Sequence, residues 1–148
     1  MFDSLFASKN KKLVLKLQKE HKELVRLVTE IVNAYDTGEK QLLLKKLIGL
    51  KNLALTHLMT EDVEFYILLK DSQRSTKEIE NLVHKFEEDF GTIKLALINF
   101  FNKYTDKDKD KDSLYDSKFM AEFKNIVAVL SRRIEFEETH LYKFLMES

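Results

Sequence analysis

Apolar residues recur every three or four positions along most of the chain, the spacing of one face of an α-helix, and they sort it into four long segments. The first predicted helix runs from Ser8 to Asp36 on Leu17, His21, Leu24, Val28, Ile31 and Tyr35; "DTGEK" breaks it, with Gly38 as the stop. The second runs from Glu39 to Lys70 on Leu43, Leu47, Leu50, Ala54, Glu61, Phe65 and Leu68. After "DSQRST", Ser75 and Glu78 have the spacing of a capping box opening the third, which carries Ile79, Val83, Phe86, Phe90, Ile93, Leu97 and Phe101. The charged stretch "YTDKDKDKDS" precedes a fourth helix from about Asp116, on Phe119, Phe123, Ile126, Leu130, Ile134, Glu137, Leu141 and Phe144. Four amphipathic helices with short connections predict an all-α fold, an antiparallel up-and-down four-helix bundle. It is read as one domain over residues 1–148, with 1–7 as an N-terminal extension and 104–115 as a charged loop.

Composition narrows the chemistry. The chain has no proline and three glycines, in keeping with long helices, and no cysteine, which excludes disulfides, thiolate ligands and cysteine nucleophiles. Charged residues make up 34% but sum to zero, so nothing electrostatic favours nucleic acid or an anionic membrane. With no transmembrane run and no secretory signal, a cytoplasmic protein is expected. Phe2, Leu5 and Phe6, just before Lys9, Lys11 and Lys12, are read as capping one end of the core rather than as a membrane-surface anchor. Asp106, Asp108 and Asp110 alternate as at the start of a calcium loop, but Lys111 stands where that loop needs glycine and Ser117 where it needs glutamate. A solvated loop is expected.

The informative residues are polar ones on apolar stripes. At about 100° per residue, His21, Glu61 and Glu137 fall near stripe centres, with His57 at a shoulder and Arg133 and His140 at edges. His84, with Glu88 beside it, falls opposite the apolar face of its helix. Inward carboxylates on two helices need a cationic partner: a metal, His21, His57 or Arg133. Two imidazoles and two carboxylates match the ligand chemistry of iron, manganese or zinc, and the i,i+4 spacing of His57 and Glu61 stacks them toward one ion. Arg133 argues the other way, since its guanidinium opposes a divalent cation and offers a fork to Glu61 or Glu137. A metal site and a metal-free ion network both remain open at this point.

Three stretches resemble the hemerythrin-like, or HHE cation-binding, family. In "KEHKELV", His21 is similar to the first-helix ligand; in "THLMTEDVEFY", His57 and Glu61 match the second-helix H-x-x-x-E motif. In "RRIEFEETHLY", Glu137 or Glu138 stands for the fourth-helix carboxylate. The resemblance implies a four-helix bundle around a non-haem di-iron centre, with O2 or another small diatomic as a ligand. The chain departs from that pattern where Arg133 occupies the fourth-helix histidine position, and where Phe86 and Phe90 stand for the third-helix histidine pair. A reduced site would need only His21, His57, Glu61 and Glu137, with Glu138, His84 and Glu88 as further candidates. The arginine-x-x-x-acid-acid pattern of the fourth helix also resembles the Rsd/AlgQ sigma-factor regulators, which implies a metal-free network of Arg133, Glu61 and Glu137 and a protein partner at the surface. No nucleophile–base pair or phosphate loop is visible, so a sensing, storage or regulatory protein is expected rather than an enzyme.

Overall fold

The computed structural model describes the backbone of residues 2–71 and 77–147, with side chains except at 2–10, 65–71, 78–79, 82–83, 86–87, 89–90, 144–145 and 147. In chain order the elements are α1 (Phe2–Asp36), α2 (Lys40–Asp71), α3 (Lys77–Tyr104), the short α4 (Lys111–Leu114), α5 (Ser117–Phe136), a π-helical turn (Glu137–Leu141) and α6 (Tyr142–Glu147). Among the described residues the regular structure is all helical, and α1 packs on α2, α2 on α3, α3 on α5, and α1 again on α6. The expected all-α bundle forms.

Local chemistry explains the boundaries. Gly38 adopts φ 73°, and Glu39 N–H donates to Ala34 O at 2.9 Å while Gly38 N–H donates to Tyr35 O at 3.2 Å. This pair of bonds satisfies carbonyls that the end of α1 would leave open, and a residue with a Cβ would be strained there. Asp116 caps α5, its carboxylate accepting from Lys118 N at 3.0 Å and Phe119 N at 3.2 Å. The backbone of α1 is helical from Phe2, within the stretch expected to precede it. The charged loop is only partly solvated: Asp110 caps α4, Leu114 and Tyr115 are buried, and Tyr115 Oη donates to Tyr104 O at 2.7 Å. The Ser75–Glu78 capping box, the face formed by Phe2, Leu5 and Phe6, and the side chains of Phe86 and Phe90 lie outside the described residues.

The core has two apolar parts. The larger runs through Leu24, Ile31, Leu43, Leu47, Leu50, Leu97, Phe101, Phe119, Phe123 and Leu130; the smaller holds Val14, Leu17, Leu141 and Tyr142. Between them, at the level of His21 on α1, lies a buried polar layer. No helix among the described residues is long and apolar enough to cross a membrane.

Candidate metal centre

Three strands of helical register bring the layer together. His21 sits one turn after Leu17 on α1, His57 and Glu61 are one turn apart on α2, and Glu137 opens the π turn after α5. All four are buried, the two glutamates completely, and one donor atom from each lies within 4.8 Å of the others. His21 Nε2 is 3.0 Å from His57 Nε2 and 2.9 Å from Glu137 Oε2, which in turn is 3.5 Å from His57 Nε2.

The outer ring nitrogens decide how these histidines present themselves. Nδ1 of His21 is 3.0 Å from Glu138 Oε1, and Nδ1 of His57 is 2.9 Å from Glu20 Oε1. A carboxylate only accepts, so each Nδ1 carries a proton and donates it, which turns both Nε2 atoms into the layer. Two Nε2 atoms 3.0 Å apart repel unless a proton or a metal lies between them. Glu61 Oε1 is 2.6 Å from His57 Nε2, and Glu61 also meets Glu137. A fully buried carboxyl needs either a proton of its own or a cation beside it.

Protonation follows from the same contacts. Burial opposes the charge on His57, but its contacts with Glu137 and Glu61 outweigh this and raise it to about 10. Burial pushes the Glu61 carboxyl well above the usual range, His57 opposing the rise and the Glu137 charge adding to it. Burial also works against ionised Glu137, but His21, His57 and the Arg133 charge hold it well below that range. Without metal, the layer thus retains protons on His57 and Glu61, where a metal ion would displace them.

Arg133 joins the layer without blocking it. Its Nε donates to Glu137 Oε1 at 2.9 Å, while Oε2 faces the histidines, so one carboxylate serves the guanidinium and the donor cluster at once. The guanidinium thus takes one oxygen of Glu137 and leaves the other turned toward the donor cluster. Among the other candidates, Glu138 is half-exposed and tethers His21 rather than facing the cluster. His84 and Glu88 are 82% and 74% exposed, which excludes them from the layer, and His140 is also exposed.

The match to known proteins concerns nearly the whole chain. The model of the hemerythrin HHE cation binding domain matches residues 13–145. The chain belongs to that family. No curated protein and no solved structure matches it. Among the described residues the cluster has four candidate donors, from α1, α2 and the π turn, with the fixed charge of Arg133 beside them. The donor set fits a metal: two imidazoles with Nε2 turned inward, one buried carboxylate beside His57, and one shared with arginine.

Sequence reasoning missed Glu20 and Tyr142. Glu20 is adjacent to His21 and so falls off the apolar stripe, yet it reaches across to α2. Tyr142 stands five residues after Glu137, which in a regular α-helix turns it about 140° away. The π turn adds the residue that brings it back: Tyr142 N–H donates to Glu137 O, and its hydroxyl donates to Glu137 Oε2 at 2.9 Å. No periodicity rule applied to this sequence signals that turn.

Proposed function

We propose that this hemerythrin-family protein holds one non-haem metal ion, iron, among His21, His57, Glu61 and Glu137, and that it serves in sensing, storage or regulation rather than catalysis. The observation that carries the metal reading is the pair of Nε2 atoms 3.0 Å apart, each ring fixed from behind by a carboxylate. Iron suits a mixed nitrogen and carboxylate donor set, as manganese and zinc also do. O2 or another small diatomic is the ligand such an iron would take. The cytoplasm, with its supply of ferrous iron, is the compartment this reading assigns.

The second reading is a metal-free bundle, similar to the Rsd/AlgQ regulators, that acts on a protein partner through its surface. The buried Arg133–Glu137 pair favours it, because a guanidinium already compensates one carboxylate. Metal analysis separates the two. Protein purified without chelator should carry iron, and re-addition to stripped protein should raise the melting temperature, since a ligand of the folded state stabilises it. His57→Ala and Glu61→Ala should abolish uptake, while His84→Ala and His140→Ala should leave it intact. No uptake and no thermal response with iron, manganese or zinc would overturn the metal reading.

A further inference from the structure

We propose that the Tyr142 hydroxyl is a fifth donor to this metal, binding as a phenolate. The proposal rests on the metal reading above and extends its ligand set. Tyr142 is almost completely buried, and its ring stacks on that of His21 with centroids 5.6 Å apart and planes 20° from parallel. Its hydroxyl is 3.0 Å from His21 Nε2 and 2.9 Å from Glu137 Oε2, and those two atoms are 2.9 Å from each other. The three form a nearly equilateral triangle of donor atoms. Donors bonded to one ion at about 2.0–2.2 Å and at right angles stand about 2.8–3.1 Å apart, so the triangle has the dimensions of one coordination face.

Packing fixes the hydroxyl in place. Tyr142 belongs to the small apolar cluster of Val14, Leu17 and Leu141, which closes the layer on the side away from the main core. A buried tyrosine needs some polar partner, and the Glu137 carboxylate alone would satisfy that need. The contact with His21 Nε2 goes further, because that nitrogen is the ligating one. The π turn is a departure from regular helix that places the hydroxyl at the same face as Glu137, and such turns concentrate at functional sites. On coordination the hydroxyl proton, now donated to Glu137, is released to solvent, as it is from other ligands on metal uptake.

Stripped wild-type protein and Tyr142→Phe, each loaded with ferrous iron and oxidised in air, test this. Iron content, visible absorption and resonance Raman spectra are recorded on both. Wild type should show the visible charge-transfer band of a ferric phenolate, with tyrosine ring modes enhanced; Tyr142→Phe should retain iron and lose the band. Iron bound in wild type without the band would overturn the phenolate and leave the four-donor site standing. A band that persists in Tyr142→Phe overturns it equally. Failure of wild type to take up iron would remove the metal reading and this proposal together. Should Tyr142→Phe not fold, ring-deuterated tyrosine in wild type decides, since only a bound phenolate shifts the enhanced modes.

Discussion

Replacing Arg133 by methionine keeps the length and apolar stem of the side chain but removes the charge opposite Glu137. Both partners are buried and the Nε–Oε1 distance is 2.9 Å, so the change leaves half of a completely buried carboxylate uncompensated. Breaking one side of a buried pair costs about 3–5 kcal/mol. For a chain of this size that corresponds to a fall of about 6–20 °C in melting temperature, taking 2–4 °C per kcal/mol. In the metal-loaded protein the ion supplies part of the missing charge, and the loss should shrink toward the about 1.5–3 kcal/mol of one hydrogen bond to a charged group. Adding Glu137→Gln to Arg133→Met in metal-free protein should recover part of the loss, because the orphaned charge then disappears. Urea melts of the two single variants and the double variant, with and without iron, measure every term. A cost below about 0.5 kcal/mol in metal-free protein, the range of ordinary surface changes, would refute the reasoning and show that Arg133 does not compensate Glu137.

Two further outcomes are expected. Stability of the metal-free protein should fall as pH rises from 6.5 to about 10: folded His57 is raised above its ordinary 6.5, so its contribution is complete below that pH and lost through about 10. Glu61, also raised, acts in the same direction, whereas the metal-loaded protein should respond less because the ion has displaced those protons; urea midpoints that rise with pH in metal-free protein would contradict this. Glu20→Ala should weaken metal binding by about 10–100-fold with all four donors intact, since it frees the ring of His57. Glu138→Ala should weaken it less, because that carboxylate is half-exposed and water replaces it readily; chelator competition with both variants checks the order.

The bundle was legible because burial and periodicity coincide along most of the chain. Leu17, Leu24 and Ile31 on α1, Leu43, Leu47 and Leu50 on α2, and Phe119, Phe123 and Leu130 on α5 all point inward where a 3.6-residue repeat places them. Gly38 stops α1 through the left-handed conformation that its missing side chain permits. The charged loop was harder, because alternating Asp and Lys carry no stripe while Leu114 and Tyr115 dip into the core beside them. Two apolar residues are too few to register as a period. Their burial is decided by tertiary contact, including the bond from Tyr115 to the end of α3.

The site divides along the same physical line. His21, Glu61 and Glu137 were found because a polar residue at the centre of an apolar stripe must be buried, and His57 because it shares a turn with Glu61. The residues that give the layer its chemistry obey no stripe. Glu20 lies beside His21 on its own helix and acts on His57 of another, which only the packing of α1 against α2 reveals. Tyr142 is reached through a turn whose extra residue resets the register, so α-helical counting places Leu141 inside and Tyr142 outside; the π turn buries both. Arg133 looked like a rival to the metal because sequence treats a carboxylate as one charge. In the folded layer Glu137 is two oxygens with two directions, one toward the guanidinium and one toward the histidines. Against the burial that opposes its charge, the contacts with His21 and His57, with Arg133 on the outer oxygen, hold Glu137 ionised, and an ionised carboxylate is the form that a metal accepts as a ligand.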